Sequence, residues 1–125
     1  MIAKTDLKIS ELISMQNALQ DRMKGKWTPI TPENGHLSLL WMYEELGEIV
    51  AIIKKRGYRA IMDDTAVREA FVEELSDALM YFMDMMTCYG VSADELSGAF
   101  AAKHEKNMRR DFVTEHKQYL SGDNG

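Results

Sequence analysis

Four acids in this chain are spaced in a way that suits metal chemistry. Glu45 and Glu48 are three residues apart, and so are Glu74 and Asp77. On a helix that spacing places each pair on adjacent turns of one face. A further glutamate precedes each pair, Glu44 before Glu45 and Glu73 before Glu74. One such pair is ordinary on a solvated helix. Two pairs, each bordering an apolar stripe on neighbouring helices, predict four carboxylates meeting at the edge of a helix–helix contact. There their repulsion and burial would raise their pKa values unless a cation offsets the charge. Ligands that are all oxygen, with no histidine or thiol among them, suit a hard ion: Mg2+, with Mn2+ as a substitute.

Positioning those acids requires long helices, and the sequence supplies them. Ala, Leu, Met, Glu and Lys dominate over Val and Thr, which favours helix over strand. Ile9, Leu12, Ile13, Gln16, Leu19, Gln20 and Met23 share one face of a first helix, an apolar stripe interrupted by two glutamines. Both prolines, Pro29 and Pro32, fall in the loop that follows. A second helix is predicted from about His36 to Arg56, stopped by Gly57, with Met42, Leu46, Ile49, Val50 and Ile53 as its core stripe. After a short connection containing Asp63 and Asp64, a third runs from about Thr65 to Tyr89 and stops at Gly90. Its apolar face is Leu75, Ala78, Leu79, Phe82, Met83 and Met86. Ser92 and Glu95 form a capping box for a fourth helix reaching to about Tyr119. The expected fold is all-α: an antiparallel bundle of about four helices in a single domain over residues 1–120, with residues 121–125 as a flexible tail.

The bulk properties exclude several classes. Net charge is −5, without the basic face of a nucleic-acid binder. The single cysteine, Cys88, excludes an internal disulfide and a multi-thiolate zinc site, and its neighbours suggest a packed thiol. No run approaches membrane-spanning length, and charges interrupt the N-terminal apolar residues, so a cytoplasmic protein with no membrane partner is expected. At 125 residues a lone domain buries about two thirds of its unfolded surface, so a core completed by dimerisation or tetramerisation is expected.

The paired acids resemble the MazG-like all-α nucleoside triphosphate pyrophosphohydrolases, which show E-E-x-x-E on one helix and E-x-x-D on the next. This chain reads Glu44-Glu45-Leu46-Gly47-Glu48, then Glu74-Leu75-Ser76-Asp77. The similarity continues into Lys103-His104-Glu105-Lys106-Asn107-Met108-Arg109-Arg110 and covers roughly residues 37–112. The resemblance implies Mg2+-dependent cleavage of a nucleoside triphosphate between the α and β phosphates, with Glu45, Glu48, Glu74 and Asp77 as metal ligands. It also implies homodimers or dimers of dimers. Glu44 or Glu48 would accept the proton of the attacking water.

Lys103, Asn107 and Arg110 fall at i, i+4 and i+7 and turn the stripe of the fourth helix polar, which suits phosphate oxygens as well as simple solvation. Tyr81 and Trp41 each stand one turn from an acid and either pack or stack on a base. Similar family members place a tyrosine at the position of Tyr81 and a glutamine near Gln16, so these are candidate substrate contacts. Phosphoribosyl-ATP and dUTP pyrophosphatases share the chemistry, although the tyrosine-histidine pair of the former is Tyr81-Phe82 here. A di-iron bundle needs E-x-x-H on two helices, and the chain offers that spacing only in a loop, from Glu33 to His36. The non-enzymatic alternative is a helical regulator that binds nucleotides without hydrolysing them.

Overall fold

The computed structural model describes residues 5–110 and 112–122. Helices α1 (Ile9–Arg22), α2 (Gly35–Asp63), α3 (Thr65–Cys88), α4 (Ala93–Arg109) and α5 (Phe112–Ser121) follow one another, with one 3-10 turn at Pro32–Asn34 and no strand among the described residues. The fold is all-helical, as composition and periodicity predict. The chain forms two compact units, one up to Ala93 and one from Asp94 onward.

In the first unit α2 and α3 pack along one another, and α3 also packs against α1. The α2–α3 connection is a single extended residue, Asp64, whose carboxylate caps α3 by accepting from the backbone N–H groups of Ala66 (3.0 Å) and Val67 (3.2 Å). So short a link makes the two helices an antiparallel hairpin. The expected loop after Gly57 is instead helical over residues 58–63. Gly57 breaks the helix geometry with φ 80° and ψ 165°, and the chain then resumes a helical course. Those angles lie in a region open essentially to glycine alone. At the other end of the hairpin, the Tyr89 ring lies so close over Gly35 that an added Cβ would sit 2.3 Å from it.

The core holds Ile49, Ala78, Met83 and Met86 along the hairpin, Ile61 and Val67 near its turn, and Cys88 at the far end. The predicted stripes overshoot this core. Leu46, Val50 (52 % exposed) and Ile53 on α2, with Leu75 and Leu79 on α3, stand in solvent. Two helices share one seam, and the flanks of stripes this wide find no cover on the hairpin itself.

In the second unit α4 begins at Ala93, immediately after Ser92, where the capping box predicts a start. The expected run to Tyr119 divides instead: α4 ends at Arg109 and α5 begins at Phe112. Of the expected tail, Ser121 closes α5 and Gly122 follows at φ 78°, while residues 123–125 lie outside the described residues. No helix among the described residues is long and apolar enough to cross a membrane.

Candidate metal centre and the cleft beside it

Because α2 and α3 run antiparallel, the two acidic motifs face each other across the hairpin. Carboxylate oxygens of Glu45, Glu74 and Asp77 lie within 4.8 Å of one another, all three side chains being half-buried. Glu74 Oε2 is buried and has no hydrogen-bond partner. The Glu45 carboxyl is pushed up to about 7, first because its protonated form shares a hydrogen bond with Glu74. Burial comes next, followed by the negative charges of Glu74, Asp77 and Glu48. Three like charges with one unanswered oxygen call for either a proton or a cation. The donor set, oxygen throughout, fits a hard divalent ion.

Glu48, expected as a fourth ligand, stands outside this cluster and is exposed, although Glu45 feels its charge. The reason is angular. On α2 the step from Glu45 to Glu48 turns away from the buried Ile49, whereas on α3 the same step from Glu74 to Asp77 stays on a face that carries the buried Asp84, on a helix that α1 also packs against.

A cleft of about 600 Å3 opens beside the acids, lined by Glu44, Glu45 and Asp77 at one end and by Gln16, Gln20 and Asp84 at the other. This volume is within the range of small-molecule sites. Trp41 and Tyr81 stand between, ring centroids 5.9 Å apart and planes tilted by 51°. Burial, then the charges of Glu45 and Asp77, raises the Tyr81 phenol above its ordinary value, so it stays protonated and able to donate. Lys26, from the loop after α1, also lines the cleft and places a positive charge there that the spacing of motifs does not single out.

Gln16 and Gln20 find their partner in Asp84. Their Nε2 groups donate to the same oxygen, Oδ2, at 3.2 and 3.0 Å. Asp84 is 4 % exposed, and its other oxygen, Oδ1, is buried without a partner. Burial raises its pKa, partly countered by the two carboxamides. Asp84 is the functional candidate that sequence patterning passes over, because it sits in the apolar run Met83-Asp84-Met85-Met86. Its signal lies in register: Asp77, Tyr81 and Asp84 fall at i, i+4 and i+7 and continue one face.

Lys103, Asn107 and Arg110 belong to the second unit and are not among the residues lining the cleft. Lys103 and Arg110 are exposed, Asn107 is half-buried, and an Arg110 Nη1 group donates to Asn107 Oδ1 at 3.4 Å. Cys88 is a buried thiol, its pKa raised by that burial. Compared with protein-family models, with curated proteins and with solved structures, the chain matches none.

Proposed function

We propose that this chain is a Mg2+-dependent nucleotide pyrophosphohydrolase, cleaving a (deoxy)nucleoside triphosphate between the α and β phosphates to give the monophosphate and pyrophosphate. The observation that supports it best is the adjacency of a three-carboxylate cluster, one oxygen of it buried and unpartnered, to a cleft walled by two aromatic rings. The cluster suits the metal that accompanies a polyphosphate, and the rings suit a planar base. The paired motifs and their family resemblance point to the same reaction.

In this reading Glu45, Glu74 and Asp77 hold the ion, and Glu48 stands by as a charge near Glu45. Bound Mg2+ supplies charge neutralisation at the phosphates. That Glu44 lines the cleft but is outside the cluster supports a role for its carboxylate in accepting a proton from attacking water. Lys26 offsets negative charge at the cleft, and Trp41 and Tyr81 stack on the base. The enzyme would work in the cytoplasm as a homodimer or homotetramer, its second copy covering the exposed stripes of α2 and α3.

The test is pyrophosphate release from a panel of NTPs, dNTPs including dUTP, and phosphoribosyl-ATP, with Mg2+ and with EDTA. Turnover should require the metal and fall at least about 100-fold in Asp77→Asn and in Glu74→Gln, a loss beyond that typical of changes outside the inner shell. Activity unchanged in both variants overturns the reading. Binding without turnover in the unmodified protein favours a nucleotide-sensing regulator instead.

A further inference from the structure

We infer that the Asp84 end of the cleft selects bases carrying an exocyclic amino group on the pairing edge (cytosine, adenine or guanine) over uracil and thymine. This rests on the nucleotide reading of the same cleft and specifies which nucleotides it takes.

Asp84 is almost wholly buried, yet the neighbours that satisfy it reach only one of its oxygens. Gln16 and Gln20, a turn apart on α1, both donate to Oδ2, which fixes the orientation of the carboxylate and leaves Oδ1 without a partner. Buried polar atoms are almost always paired, and those that are not are commonly completed by a ligand or water. Asp84 lines the same cleft as the Trp41–Tyr81 pair, whose rings touch each other, so a base resting against that pair shares its cleft with the unpaired oxygen.

Distance along the helix agrees. Asp77 and Asp84 are seven residues apart on α3, about 10 Å of rise. That is comparable to the span from the α phosphate to the far edge of the base in an extended nucleotide. With the phosphates at the three-carboxylate end, the base edge arrives at Asp84.

A carboxylate oxygen only accepts, so it rewards a donor and repels a carbonyl. Cytosine and adenine offer an amino group, and guanine offers an amino group beside its ring N–H. Uracil and thymine offer one ring N–H flanked by two carbonyl oxygens, at least one of which would crowd Oδ1. Cytosine and uracil make the sharpest comparison, since an amino group replaces an oxygen at one ring position and the two differ little in size.

The experiment measures equilibrium binding of the non-hydrolysable α,β-methylene analogues of dCTP, dATP, dGTP, dUTP and dTTP by calorimetry. The full chain is used with Mg2+. The wild-type protein should bind the amino-bearing analogues at least about tenfold tighter than the other two, a modest figure for a site that pairs a specific donor. In Asp84→Asn the side-chain carbonyl can keep both glutamine donors while its NH2 turns to the cleft. The preference should then shrink or reverse. Far-ultraviolet circular dichroism establishes that the variant is folded, and the wild-type dCTP/dUTP comparison stands without any variant. Equal affinities in the wild-type protein overturn the inference, as does a folded Asp84→Asn with an unchanged preference, or binding of none of the analogues. Base preference without hydrolysis of natural triphosphates would instead sink the pyrophosphohydrolase reading alone. Hydrolysis without base preference would sink this inference alone.

Discussion

Glu45 carries the clearest consequence at the scale of a single residue. Folding moves its pKa from an ordinary 4.5 to about 7, so between those values the folded chain binds a proton that the unfolded chain has lost. Stability of the metal-free protein therefore falls as pH rises through that window. A cation must displace the same proton, so Mg2+ affinity rises over the window and levels off above about 7. Thermal melts in EDTA at pH 5 and pH 8 should show the lower melting temperature at pH 8 from this group. Added Mg2+ should raise it more at pH 8 than at pH 5, and equal metal effects at both would contradict the assignment. The proximity of Glu45, Glu74 and Asp77 was legible from spacing because helix periodicity fixes which side chains share a face. Asp84 was not, because a lone acid among methionines looks like an interruption until Gln16 and Gln20 on another helix are seen to answer it.

The elements explain which boundaries a sequence can disclose. α1 and α3 begin and end close to where their stripes and flanking residues place them, since stops such as Gly90 are read locally. α2 does not end at Gly57, because the glycine redirects the chain at φ 80° and the following residues re-enter the helical region. A glycine that ends a helix and one that kinks it look alike in one dimension. Gly57→Ala should cost about 1–3 kcal/mol by forcing a side chain into that region, measured by urea denaturation. The split of the predicted fourth helix near Arg110 was likewise invisible, for no proline or glycine marks it.

At the scale of the molecule, the hairpin leaves Leu46, Val50 and Ile53 on α2 and Val72, Leu75 and Leu79 on α3 in water. These recur at three- and four-residue intervals, the pattern of a seam between packed helices. Analytical ultracentrifugation should find a dimer or tetramer, and Val50→Glu with Leu79→Glu should shift it to monomer; a wild-type monomer at micromolar concentration would refute the expectation. Apart from Val72, these residues were legible in the sequence as parts of the apolar stripes. Which part faces the chain's own core was not, since apolarity is the same whichever helix covers it. The contact of Tyr89 with Gly35 bears on how the acids stay aligned. A slip of one residue between α2 and α3 would swing one helix face by about 100° relative to the other and carry Asp77 away from Glu45. Asp64 pins one end of the pair, and the ring resting on a bare backbone pins the other, so the helices are indexed at both ends like a scale read between two stops.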